Sequence, residues 1–108
     1  MANGVTVRAK GTAITSSGSG DVTIGGASSW VASDSEAVRI CIALDTATTL
    51  LIRHNSVNLK MNAGASLVAD ALYTFSIELP GGESFTIRTG ASCTIRTVTI
   101  SGVAGDVI

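Results

Sequence analysis

His54 is the single histidine of the chain, so acid–base or nucleophilic chemistry at neutral pH would have to start there. Nucleophilic catalysis needs a nucleophile, a base and a group that orients the base, all in contact. Serine supplies 13 of the 108 residues, so a serine near His54 carries little information. No Gly-x-Ser-x-Gly elbow occurs. His54-Asn55-Ser56 is a turn by composition, so His54 reads as a loop residue or an interface contact.

Carboxylates come close in sequence at Asp34/Glu36 and at Glu78/Glu83, the kind of pairing glycoside hydrolysis uses. Both pairs border turns, where carboxylates are normally solvated. Asp21, Asp34, Asp45 and Asp70 sit at or near strand ends, but no calcium-loop spacing joins them. They read as turn-forming aspartates. One histidine and two distant cysteines cannot complete a tetrahedral zinc site without carboxylates. Gly18-Ser19-Gly20 and Gly25-Gly26 precede strand-like sequence, not a helix N-terminus, so they do not form a phosphate cradle. The expectation is a non-enzymatic protein with no metal and no cofactor.

Cys41 and Cys93 both fall in strand-like runs. Two reduced thiols packed as small hydrophobes are expected, with a cross-strand disulfide as the alternative.

The elements that would hold these residues are strands. Val38, Ile40, Ile42 and Leu44 alternate with Ala37, Arg39, Cys41 and Ala43. Leu50 and Ile52 share a face, and Val57, Leu59 and Met61 alternate after the turn. Tyr73, Phe75, Ile77 and Leu79 line one face of the next strand, and Phe85 and Ile87 the inward face of another. From Cys93 to Ile100 the alternation changes phase, since Ile95 is odd while Val98 and Ile100 are even. A β-bulge near Arg96-Thr97 accounts for that. Thr86-Ile87-Arg88-Thr89 recurs as Thr94-Ile95-Arg96-Thr97, a spacing that suits neighbouring strands of one hairpin. Arg88 and Arg96 read as solvated edge arginines, with a shared acidic partner as the alternative. The one helix candidate, Ala63–Leu72, fits a loop equally well.

Residues 1–35 differ from residues 36–108. Val5, Val7 and Ala9 alternate on one face, and short β pieces follow around Thr12–Thr15 and Asp21–Ile24. Gly/Ser-rich loops separate them. This third reads as an extended arm or as short strands, closed by Trp30 and Val31. The predicted fold is a single all-β domain over 1–108. It is an antiparallel sandwich or jelly roll of about seven to nine short strands, with an extended Gly/Ser-rich N-terminal segment.

Charged residues make up only 14% of the chain and the net charge is −1, with no Lys/Arg cluster. Nucleic-acid and polybasic membrane binding are excluded on that footing. Thirteen serines and thirteen threonines wet the surface instead. A weakly charged surface and exposed strand edges favour a homo-oligomer. The opening MANGVTVRAKG reads as strand, not as a signal peptide, and no run reaches a membrane span, so synthesis in the cytoplasm is expected. Trp30 is the one aromatic left free to stack on a sugar, because Tyr73, Phe75 and Phe85 take inward positions. The candidate interface residues are Val5, Val7, Trp30, Val31 and His54.

The Ser/Thr/Gly/Ala-rich first third and the run ALYTFSIELPGGESFTIRTGASCTIRTVTI, residues 71–100, resemble small β-sandwich decoration (cement) proteins of tailed-bacteriophage capsids. The resemblance lies in style and matches no residue-specific motif, so it transfers no functional residue. It implies a structural virion protein on the capsid surface, binding the phage major capsid protein and bridging coat subunits as a dimer or trimer. The alternative is a glycan- or host-receptor-binding β-sandwich module of a tail fibre or cell surface.

Overall fold

Strict alternation needs a sheet to cover each apolar face, and a pair of sheets is how this chain provides it. The computed structural model describes residues 5–25, 30–31, 36–79 and 84–104. Its strands are β1 (Val5–Ser16), β2 (Trp30–Val31), β3 (Glu36–Leu44), β4 (Leu50–His54), β5 (Val57–Lys60), β6 (Tyr73–Leu79), β7 (Ser84–Thr89) and β8 (Cys93–Ala104). They form two antiparallel four-stranded sheets, ordered β1-β8-β3-β6 and β2-β7-β4-β5. The molecule is a β-sandwich. A single 3-10 turn, Asn62–Gly64, is the one piece of helix among the described residues.

The alternating faces close on a common core. Ile40, Ile42 and Leu44 from the first sheet and Leu50, Ile52, Phe85 and Ile87 from the second are buried. Burying side chains of this size contributes about 1.5–3 kcal/mol each. The phase change in β8 is structural. Ala43 pairs with Thr97 but Leu44 pairs with Ile95, so Arg96 is the extra residue of a bulge. Ile95 therefore stays inward together with Val98 and Ile100.

The N-terminal third enters the sandwich. β1 is one twelve-residue strand, paired with β8 from Val5↔Val103 to Ser16↔Cys93. A register shift between Val7 and Ala9 breaks its alternation. Val7 pairs with outward Ser101 and Ala9 with inward Ile100. Val5, Val7 and Ala9 thus do not share one face, because the extra residue at the bulge resets the period of two. Beyond β1, Val22 and Ile24 are buried, and the Val22 amide donates to the Ile87 carbonyl at 2.8 Å.

The echo of Thr-Ile-Arg-Thr does not mark a hairpin. β7 and β8 belong to different sheets. The 90–92 turn carries the chain across the core, so Ile87 and Ile95 enter it from opposite sides. That turn is tight. A Cβ on Gly90 would lie 2.1 Å from Thr49 Oγ1, and one on Gly18, at φ +83°, would lie 2.6 Å from the Ala91 backbone. Gly18 requires glycine for both its backbone and its space, whereas at Gly90 a larger residue would have to displace the Thr49 side chain.

The short connections fix which flanks coincide. Residues 45–49 and 90–92 each cross between sheets, so β3 faces β4 and β8 faces β7. β5 and β6 are therefore edge strands on the same flank. The opposite flank, between β1 and β7, is filled by Val22 and Ile24.

Candidate interaction surface

No group of three or more His, Cys, Asp or Glu residues able to hold a metal occurs among the described residues. The aspartates have structural partners instead. Asp21 accepts from Arg88 Nε at 2.7 Å and from Thr86 Oγ1 at 3.0 Å. The Arg88 hydrogen bond, above all, holds its carboxyl below the usual range. Asp45 accepts from the Thr94 amide at 2.8 Å and from Thr46 Oγ1 at 2.9 Å, and the Thr94 bond leads in lowering its pKa. Asp70 accepts from Arg96. The two echoed arginines thus take separate acids, not a shared one. Arg88 is also partly buried, its side chain 25% exposed, and is not a freely solvated edge residue. Asp34 and Glu83 lie outside the described residues.

The cysteines are both free. Cys41 pairs in register with Thr99, and Cys93 is six residues further down the same strand. At roughly 3.4 Å per residue this separates them by about 20 Å, far beyond disulfide reach of about 7 Å.

The five interface candidates are not brought together. Val7 is exposed on the outer face of β1, while Trp30 and Val31 pair with Phe85 and Ser84 at the edge of the other sheet. The side chains of Val5, Trp30 and Val31 lie outside the described ones. His54 is not part of the turn: Asn55 and Ser56 alone reverse the chain, so His54 ends β4 as the last ladder partner of Val57 and is half-buried.

Uncovered apolar surface gathers elsewhere. Among the described residues five large hydrophobics are exposed, and four of them, Val57, Leu59, Val68 and Leu72, fall between residues 57 and 72. This is the β5/β6 flank. Val57 and Leu59 register with His54 and buried Ile52, so they occupy the inner face of their sheet. They are 54% and 44% exposed because β5 overhangs the core. On β6, Tyr73, Phe75 and Ile77 pack against the core yet remain half-exposed. Tyr73 stacks on Phe75, ring centroids 5.9 Å apart, and its hydroxyl accepts from the Val68 amide at 2.9 Å. Leu67, fully buried and bridged to Thr48, anchors the segment that joins the two edge strands. Alternation in sequence places Val57 and Leu59 on one face. It carries no signal that nothing covers that face.

No protein-family model matches this sequence, and no curated protein matches it. Exposed apolar side chains, together with strand edges that have no neighbour among the described residues, favour contact with another macromolecule. A second feature is polar: an open depression on the outer face of the second sheet, lined by Asp21, Arg53, Asn55, Ser56, Ser84 and Thr86.

Proposed function

We propose that this protein is a non-enzymatic structural component of a virion, binding the outside of an assembled phage capsid and bridging coat subunits. The observation that carries the proposal is the asymmetry of the sandwich. One flank is filled by Val22 and Ile24, while the other leaves Val57, Leu59, Val68 and Leu72 in water. A sandwich stabilised by its own core gains nothing from such a patch; a partner surface does. The style of residues 71–100 supplies the setting, a shell of repeated coat subunits. Binding to the assembled shell alone would stabilise it by mass action, and many copies would add avidity to weak single contacts.

The glycan- or receptor-binding reading draws its support from the polar depression at Asp21 and Arg53. It has the weaker footing, since Phe85, the aromatic residue lining that depression, is buried and offers no platform.

Co-sedimentation with expanded capsids, followed by cryo-electron microscopy of the parent particle, tests the proposal. Density spread over the capsid faces is expected, with binding lost in Leu59→Asp and Leu72→Asp. Density confined to the tail, or no sedimentation with shells, would overturn it.

A further inference from the structure

We infer that β6 is a self-association edge, pairing antiparallel with β6 of a second copy about a twofold axis through Ser76. The assignment comes from comparing the edge strands. Natural sheets blunt their edges with bulges, Lys, Pro or short length. β1 carries a bulge between Val7 and Ala9 and presents Lys10. β5 has only four residues and ends in Lys60. β6 has seven residues, Tyr-Thr-Phe-Ser-Ile-Glu-Leu, with no bulge in its pairing to β3 and Glu78 as its one charge. Its far edge has no strand neighbour among the described residues.

The sequence of β6 also selects the occupant. Centred on Ser76, an antiparallel copy places Phe75 opposite Ile77 of the partner, and the reverse by symmetry. Aromatic against β-branched is a favourable cross-strand pair. The same register places each Glu78 opposite the partner's polar Thr74 and keeps the two carboxylates apart. Apolar residues meet apolar ones on the inner face, and polar meet polar on the outer face. The half-exposed Phe75 and Ile77 would gain cover in the process. The contact is isologous and closes on itself, so it yields a dimer and not a fibre.

This inference stands apart from the capsid reading, and sedimentation velocity of the free protein tests it. A dimer is expected at high protein concentration. Ser76 is exposed on the outer face, so Ser76→Lys leaves the core untouched. It sets two like charges face to face and should weaken the dimer by roughly fivefold or more. Ser76→Asp should do the same. Mixing the two variants should restore the dimer as a Lys/Asp heterodimer, and circular dichroism confirms that each remains folded. A monomeric wild type overturns the inference. So does a dimer that survives Ser76→Lys, or one that is lost only in Val57→Asp, which would move the interface to β5. A dimer without affinity for capsids would sink the capsid reading and leave this one standing.

Discussion

Ser16 Oγ and Thr89 Oγ1 lie 2.5 Å apart in the buried interior, joining β1 of one sheet to β7 of the other across 73 residues of sequence. The Thr89 hydroxyl donates to the Ala91 carbonyl at 2.9 Å, so Ser16 is the donor of the pair. Ser16 and Thr89 are almost fully buried. Replacing Thr89 by Val keeps the shape and leaves Ser16 without its acceptor. Leaving a buried hydroxyl unsatisfied costs about 1–3 kcal/mol. Urea unfolding should show a loss of that size for Thr89→Val. The double variant Ser16→Ala/Thr89→Val should lose less than the sum of the single changes, because both groups of the pair are gone.

The β4–β5 turn predicts a gain. Asn55 and Ser56 have φ of 50° and 63°, and His54 pairs with Val57 around them. A two-residue hairpin with both φ values positive is the mirror-image type that favours Asn-Gly. Serine is strained at the second position, and glycine is not. Ser56→Gly should raise stability by about 0.5–1 kcal/mol. Thermal unfolding with an unchanged circular dichroism spectrum checks it.

Acid should weaken the fold through Asp21 and Asp45. Their folded pKa values lie below those of the unfolded chain, chiefly through Arg88 and the Thr94 amide respectively. A depressed carboxyl pKa contributes stability above the unfolded value, about 4, and loses it as pH falls through the folded value. Denaturant midpoints should hold from neutral pH down to that point and then decline. Asp45→Asn, which keeps an acceptor for the Thr94 amide without titrating, should shrink the acid-linked loss. Equal acid sensitivity in the variant would refute the assignment.

The thiols should react unequally. Cys41 is half-exposed on the outer face, where Thr74 Oγ1 donates to its sulfur at 3.7 Å. Cys93 is buried, and that burial raises its thiol pKa. A thiol reagent should label Cys41 in the folded protein and reach Cys93 only at the rate of unfolding. Mass spectrometry of digested, labelled protein reads this directly. Prompt labelling of both would contradict the placement of β8.

The sequence by itself determined the local geometry. Period-two alternation from Val38 to Leu44 and from Tyr73 to Ile77 reflects the pleat, which sends neighbours to opposite faces. The phase slip between Ile95 and Val98 located the Arg96 bulge, because one extra residue inverts the alternation. Local rules do not say which strands become neighbours. Thr86–Thr89 and Thr94–Thr97 have the spacing of a hairpin, yet the 90–92 turn carries them into different sheets. The residues from Val5 to Ser16 admitted an arm or short strands, and their pairing with β8 made them one strand. Val57 and Leu59 alternate like core residues, but only the overhang of β5 leaves them in water. An apolar side chain has the same pattern whether its own core or a partner covers it, so exposure is decided by the tertiary structure alone.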